Sequence, residues 1–543
     1  MKRTIGFSGC CLTVFLAWLG GENASGQGKI VAGDAAPGDR FGHYVSLDEN
    51  VAVVGADMSD INGHPDAGAA YVYRLGSEGW AQEAKLTEPV PVTNNLFGKV
   101  SVSDNVIAVG TYRDGHGNYS GLVYLFRHDG TSWDHEDTLE TVATADGFGD
   151  PPCLDGNLLV VAATLDDAGG PADTDKGAAH VFRYDETSTS WAEEAMLVAT
   201  DAQPGDRFAT WVSIKNDIIV AGAEGDESWR GSAYVFRYDS TSTNWVQEEK
   251  LVASDATYGD GDRFGNCVST DGEVVVVGAP WDDENGEDSG AVYVYRRHGS
   301  SWVEESKLTA PDATAGDRLG FAVSVKQDVV FAGAWGRDDH GEDSGSVYVY
   351  TYDGTSWTVD ILKILPSDCG HTNDLFGYAV SYDGANLLVG APYDDHDGGV
   401  DAGSASLLEG SRLVPASWSH FGCSPGWPGT IGIPDFTASG NPVLGTTITL
   451  DIENSFGQTT TGFLFMGLKE VCIDTALDGT LLVSPLAHLV LSPIPKGGLQ
   501  LPAPIPCDWA FAGLAVLLQV LELDPGASQG VSFTPGLRLS LGF

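Results

Sequence analysis

One frame recurs along this chain, and its period limits the fold more than any other feature. The stretch from Lys250 to Trp302 and the stretch from Lys307 to Trp357 superpose almost residue for residue. A Phe-Gly element falls at Phe41, Phe97, Phe148, Phe208, Phe264, Leu319 and Phe376. A Gly-Ala element falls at Gly55, Gly110, Ala162, Gly222, Gly278, Gly333 and Gly390, with successive separations of 55, 52, 60, 56, 55 and 57 residues. An apolar-aromatic run follows each one, at Tyr71, Val123, Ala179, Tyr234, Tyr293, Tyr348 and, degraded, Ser406. A tryptophan closes the first six units at Trp80, Trp133, Trp191, Trp245, Trp302 and Trp357.

Each unit reads as four short strands. In the fifth they are FGNCVST, EVVVVGA, AVYVYRR and WVEESKL, β-branched or alternating and bounded by Gly and Asp turns. Four antiparallel strands repeated radially describe a β-propeller blade, so seven units predict a seven-bladed ring. The seventh unit ends at GSASLLEGS without a fourth strand, and the missing strand stands at the N-terminus as Lys29 to Ala32. The first strand is therefore expected to complete the last blade, which pairs an otherwise open edge.

The motifs resemble the FG-GAP repeat of the integrin α-subunit propeller. Phe264-Gly265 with Gly278-Ala279-Pro280, and Phe376-Gly377 with Gly390-Ala391-Pro392, carry both halves of that name; Gly110-Thr111 and Ala162-Ala163 are degenerate. The resemblance spans about residues 29–411 and implies the fold far more securely than a function. Integrin repeats carry a calcium loop between the two elements. Here that segment is only NCVSTDGEVVVV or YAVSYDGANLLV, too short for it.

Strand alternation puts the fourth-to-first and second-to-third loops on one face. Acids concentrate there. Asp39, Asp206, Asp262 and Asp317 recur in a Gly-Asp-Arg frame, and Asp166-Asp167, Asp282-Asp283, Asp338-Asp339 and Asp394-Asp395 follow the Gly-Ala element. Three readings stand side by side: charged loop tips that serve solvent, with Arg40, Arg207, Arg263 and Arg318 pairing acids between blades; Ca²⁺ sites; and a surface for a basic or cation-bridged partner. Ca²⁺ takes six to eight oxygen ligands, and the best candidate ligands are Asp282, Asp283, Asp288, Asp338, Asp339 and Asp343. Trp229, Trp281 and Trp335 in these loops, and Trp211 in a first strand, depart from the one-per-blade tryptophan pattern and are candidates for gripping a ligand.

No G-x-S-x-G, H-E-x-x-H or phosphate-binding loop is present. His64, His116, His340 and His396 recur in acidic loops with varying spacing and read as polar filler. The chain therefore reads as a non-catalytic binding or adhesion protein for a protein or polysaccharide ligand. The alternative is an exported propeller enzyme, hydrolase or lyase, acting on carbohydrate. A His/acid cluster converging at the axial mouth favours the enzyme; scattered acids on open loops favour binding.

Charge excludes some partners. With 28 Lys and Arg against 76 Asp and Glu the net charge is −48, which rules out phosphate-rich nucleic acid. Residues 1–28 read as an export signal, with Lys2, Arg3 and the short apolar run CLTVFLAWLG. No later run reaches the roughly 18 apolar residues of a membrane span, so the chain is expected to be secreted or held at the cell surface. Cys10 and Cys11 leave with the signal; Cys153, Cys267, Cys369, Cys423, Cys472 and Cys507 remain, without a C-x-x-C pair. After residue 411 the repeat stops. Residues 412–543 predict a small β-sandwich-like domain, with 509–523 ambiguous between helix and strand.

Overall fold

The computed structural model describes residues 28–541 apart from 78, 113–119, 142–145, 168–173, 257–260, 367–369, 410–416, 422–433, 444–445, 475–479, 506–513, 528 and 530. Residues 1–27, which hold the expected export signal, and His116, Cys369, Cys423 and Cys507 lie outside the described residues. The chain divides into two compact units, one of Gly26–Pro366 with Gly370–Gly410, the other chiefly Ser411–Phe543.

The architecture is all-β. In the larger unit the described residues form seven four-stranded antiparallel sheets. The fifth contains Val268–Thr270, Val274–Ala279, Ala291–His298 and Ser301–Leu308, close to the strands read from sequence. In the seventh, Gly28–Ile30 pairs with Ser404–Glu409, Lys29 opposite Ser406. The first strand of each sheet contacts the first strand of the next, and Tyr44–Asp48 of the first contacts Ala379–Tyr382 of the last, so the innermost strands close a cycle. This is a β-propeller.

Three repeated contacts explain the motifs. The glycine of the Gly-Ala element abuts the glycine of the next blade's Phe-Gly element. A Cβ on Gly278 would lie 1.9 Å from the Gly320 carbonyl oxygen, and one on Gly390 would lie 1.9 Å from that of Gly42, across the closure. In the first five blades the Phe of the element packs edge-on against a third-strand ring, as in Phe41–Tyr71 at 5.4 Å and Phe264–Tyr293 at 5.3 Å between centroids. The buried Trp245 indole N–H makes no hydrogen bond, but around the outside Trp133, Trp191, Trp302 and Trp357 each donate theirs to a glutamate of the preceding blade, Trp133 to Glu83 at 2.9 Å and Trp357 to Glu305 at 2.8 Å. That glutamate also holds an arginine of its own blade, Arg74 or Arg296. The tryptophans are inter-blade packing.

An inner ring of hydrogen bonds runs beside the axis. Ser46 Oγ accepts the amide of Val102 at 3.0 Å, Ser101 that of Leu154 at 2.9 Å, Ser213 that of Thr270 at 3.1 Å, and Ser269 that of Val325 at 3.2 Å. Ser324 accepts Tyr382 at 3.0 Å, and Ser381 accepts Leu47 at 3.0 Å. At the third blade Cys153 stands in the serine position, and its sulfur takes the Ile214 amide. Second strands such as Val51–Ala56 and Asn386–Ala391 are buried along their whole length. Their alternate side chains enter clusters shared with the blades on either side, and Leu388, Ala405 and Leu407 of the last blade join Phe41, Val54 and Tyr71 of the first.

The smaller unit is also β. Its larger sheet runs in the order Ser417–Phe421, Gly536–Ser540, Ala515–Leu523, Thr460–Gly467, Ala487–Ile494, with Val531–Phe533 also on Ala515–Leu523. The ambiguous 509–523 segment thus contributes a central strand. A three-stranded sheet joins Phe436–Ser439, Thr447–Ile452 and Leu499–Pro504. Among the described residues no helix is long and apolar enough to cross a membrane.

Candidate functional site: the axial mouth of the propeller

In six blades the residue directly after the Phe-Gly element stands three positions before the inner-ring serine or Cys153: His43, Asp150, Thr210, Asn266, Phe321 and Tyr378. A turn builds this position. Arg40, Arg207, Arg263, Arg318 and Leu375 adopt left-handed φ of 55°, 54°, 52°, 57° and 55°. The amides of His43, Thr210, Asn266, Phe321 and Tyr378 donate back to the carbonyls of those same five residues. In the second blade the inserted residue is missing, and Lys99 pairs with Gly110 as Tyr44 pairs with Gly55. All six inserted residues line one cavity of about 290 Å³, together with Tyr44, Tyr112, Thr164, Leu165 and Trp211. Frames that agree elsewhere thus bring six different side chains to a single place. The cavity lies on the face that bears the acidic loops, because Tyr112, Thr164 and Leu165 belong to second-to-third loops.

The rings form an arc. His43 lies 4.8 Å from Tyr44 and 5.0 Å from Tyr378; Tyr378 lies 4.9 Å from Phe321, and Phe321 lies 5.7 Å from Trp335, all between centroids. His43 Nδ1 donates to Asp57 Oδ2 at 2.9 Å. Its Nε2 lies at hydrogen-bond distance, 3.2 Å, from the Tyr378 hydroxyl. Asp57 is buried, and its Oδ1 makes no hydrogen bond. Across the mouth, buried Lys99 meets Asp150 at 2.8 Å and lies over the Tyr112 ring at 4.7 Å. Burial, then Tyr393 and Asp57, push the Tyr378 phenol up to about 12. Burial, then Asp150 and Asp57, push Tyr44 well above its ordinary value. Farther down the channel, burial raises the Cys153 and Cys267 thiols to about 11 and about 12, so both stay protonated.

The six acids singled out in the sequence sit elsewhere, and the carboxylates of four of them, Asp282, Asp283, Asp338 and Asp339, already have partners. Asp282 is buried against Lys307 Nζ at 2.7 Å and takes the Tyr293 hydroxyl at 3.1 Å. Lys307 also holds Asp255 at 2.6 Å and Glu284 at 2.8 Å. Asp339 lies against Lys363 at 2.7 Å and Arg337 at 3.4 Å. Asp283 and Asp338 accept the amides of Asp288 and Asp343 at 2.7 and 2.8 Å. The carbonyls of Asp288 and Asp343 in turn receive Arg318 and Leu375 of the next blade. Burial and then Asp338 raise the Asp343 carboxyl. Among the described residues no group of three or more His, Cys, Asp or Glu side chains is placed to hold a metal ion.

The loop tryptophans also have partners. Arg207 and Arg263 lie over Trp229 at 4.8 and 4.7 Å, Arg263 over Trp281 at 4.2 Å, and Arg318 over Trp335 at 4.3 Å. The Gly-Asp-Arg arginines therefore stack on aromatic rings, and of their acid pairings the structure holds Arg207 and Arg263 with Glu224 at 3.6 and 3.8 Å. His396 staples its own loop, with Nδ1 accepting Gly398 N–H and Nε2 donating to the Gly403 carbonyl, both at 2.9 Å. Of the four unusual tryptophans, Trp211 lines the axial cavity. His43, Lys99, Asp150 and Tyr378 were missed, and their readable signal was variation at one position of an otherwise regular frame.

The FG-GAP repeat family matches residues 25–73, 80–126, 191–236, 245–295, 302–350 and 358–408, more than half of the chain. No curated protein matches. Among solved structures, Saccharomyces cerevisiae Sqt1 is similar at 10% identity and a TM-score of 0.37, with 71% of this chain and 99% of that one covered. The β-propeller domain of the Trilobed protease from Pyrococcus furiosus is similar at 10% identity and a TM-score of 0.38, with 66% and 90% covered. PorZ, a surface component of the type-IX secretion system of Porphyromonas gingivalis, is similar at 12% identity and a TM-score of 0.42 over 94% of this chain, which spans 61% of PorZ. With the repeat matched across the blades and its glycines forming the contacts between them, the chain belongs to the FG-GAP repeat family.

Proposed function

We propose that this is an exported binding protein that takes part of its ligand into the axial mouth. The observation that carries this reading is the convergence of His43, Asp150, Thr210, Asn266, Phe321 and Tyr378 on one cavity. The frame tolerates different residues there and adds aromatic walls, as ligand pockets do. Adhesion through the acidic loop face remains part of the proposal, with the loops as a rim that excludes anions. Calcium is not part of it, since lysines or backbone amides already occupy the carboxylates of Asp282, Asp283, Asp338 and Asp339. The test is a thermal-melting panel of saccharides, amino compounds and peptides against the purified chain and its Trp211→Leu variant. The reading expects at least one compound to stabilise the chain and to lose its effect in the variant. Stabilisation that survives Trp211→Leu moves the site to the outer loops.

The His43–Asp57 pair favours a second reading, an exported enzyme acting on carbohydrate, with His43 as general base. Against it, Nε2 is engaged by a phenol held protonated, and no described Ser or Cys side chain is bonded to this histidine. Turnover of any saccharide that disappears in His43→Ala while binding persists would establish the enzyme.

A further inference from the structure

The polar groups around the mouth are largely spent on one another. His43 is held by Asp57 and Tyr378, and Lys99 by Asp150. The Thr210 hydroxyl donates to the Arg207 carbonyl at 2.8 Å, and the Asn266 amide donates to Glu224 at 3.1 Å. A sugar needs free donors and acceptors in the plane of its hydroxyls. What this cavity offers instead is ring surface above negative charge. Tyr44, Trp211, Phe321 and Tyr378 supply the rings. Asp57 and Asp150 both face the cavity rings, Asp57 with a buried Oδ1 that makes no hydrogen bond, against Lys99 on Asp150 and Arg40 near Tyr378. Both Tyr44 and Tyr378 resist ionisation partly because Asp57 and Asp150 set a negative potential at their oxygens. The chain's −48 charge adds a long-range pull on cations and repels anions.

We infer that the group taken into the axial mouth is a small organic cation of the alkylated-ammonium class, held by cation–π contact and by the field of Asp57 and Asp150. This rests on the axial mouth being the binding site. Ring faces attract a cation through their quadrupole, most strongly once it has lost water. A trimethylammonium head cannot donate hydrogen bonds, so satisfied walls cost it nothing. A cavity of about 290 Å³ admits such a head. Arginine and lysine already use this chemistry in the adjacent loops, with Arg318 over Trp335 at 4.3 Å.

The test compares choline with 3,3-dimethyl-1-butanol, its neutral isostere, by calorimetry and tryptophan fluorescence on the full chain. Tetramethylammonium and methyl glucoside complete the set, at matched ionic strength. Choline and tetramethylammonium are expected to bind, and the isostere at least about tenfold more weakly, because charge alone separates the two. Phe321→Leu and Trp211→Leu, each checked for an unchanged melting temperature, should each weaken choline by about tenfold. Equal binding of choline and its isostere overturns the inference, as does choline binding that both variants leave intact. Binding of methyl glucoside but not choline, lost in Trp211→Leu, overturns the cation and keeps the axial site. Binding of none of the four overturns the cation, and the wider melting panel then decides the site.

Discussion

The glycine pairs that join neighbouring blades are the most demanding residues in the molecule. A Cβ on Gly222 would stand 1.8 Å from the Gly265 carbonyl oxygen, so Gly222→Ala must push two backbones apart. The expected cost is about 3 kcal/mol or more. One junction lacks the pair. Between the third and fourth blades the two positions hold Ala162 and Ala209, and Ala209 adopts φ 67°. A left-handed alanine costs about 1–2 kcal/mol, and glycine's extra chain entropy about 0.5–1 kcal/mol. Ala209→Gly is therefore expected to stabilise by about 0.5–1 kcal/mol, the reverse of what glycine does inside a strand. Calorimetric unfolding of the two variants checks both signs. Cys153 makes a second test. Because it replaces serine in the inner ring, Cys153→Ser should leave stability nearly unchanged. Cys153→Val strands the Ile214 amide and should cost about 1–3 kcal/mol.

Among the elements, the closing strand has the largest effect for its size. Gly28–Ile30 is three residues long, yet it supplies the fourth strand of the last blade, and Lys29 reaches Asp394 at 2.6 Å. A chain starting after Ile30 leaves Ser404–Glu409 as an open edge, and open edges recruit other chains. Such a truncation should melt lower, become protease-sensitive near residue 404 and self-associate with concentration in sedimentation. An unchanged monomer of wild-type stability would mean that the ring does not depend on this strand. This element was legible in the sequence, as were the four strands per unit, because the same local pattern repeats and the seventh unit visibly lacks one piece. The axial mouth was not. Its residues lie one per blade, and nothing in linear spacing brings His43 to Tyr378. The acids of the outer loops drew attention by number, but Lys307 and Lys363, which neutralise them, come from fourth strands whose lysine looked like ordinary surface charge. Trp211 was the one residue lining the cavity that stood out in the sequence, because it broke a regular tryptophan pattern.

For the molecule as a whole, the question is how a chain of −48 stays folded. The answer repeats in four blades: a fourth-strand lysine clamps an aspartate of the entering loop, with a third-strand tyrosine donating to it. Lys85 meets Asp34 at 2.7 Å, Lys250 meets Asp201 at 2.7 Å, Lys307 meets Asp255 at 2.6 Å, and Lys363 meets Asp312 at 2.8 Å. All four aspartates sit below their ordinary value; burial opposes the shift, but bonds to lysine and tyrosine outweigh it. Lys250 and Lys307 sit above theirs, because their carboxylates outweigh burial. A depressed acid stabilises the fold fully above its unfolded pKa, about 4, and loses that contribution as pH falls through its lower folded value. A raised lysine contributes fully below about pH 10.4 and loses it as pH climbs through its higher folded value. Asp39 and Asp206, raised by burial, act oppositely and favour the fold as pH drops toward 4. Stability should therefore be broad across neutral pH and fall below about 4 and above about 10. Lys307→Met leaves Asp255, Asp282 and Glu284 facing each other without their cation. At pH 7 it should cost about 1–3 kcal/mol, discounted from a fully buried pair because Asp255 and Glu284 are solvent-exposed. The deficit should shrink as pH approaches 4 and these acids take up protons. Melting curves from pH 3 to 8, with and without added Ca²⁺, decide the matter. A deficit that stays constant with pH would place the lysine's contribution in packing. A wild-type chain that gains several degrees from Ca²⁺ would mean that a divalent ion, and not the lysine clamps, neutralises the acidic face.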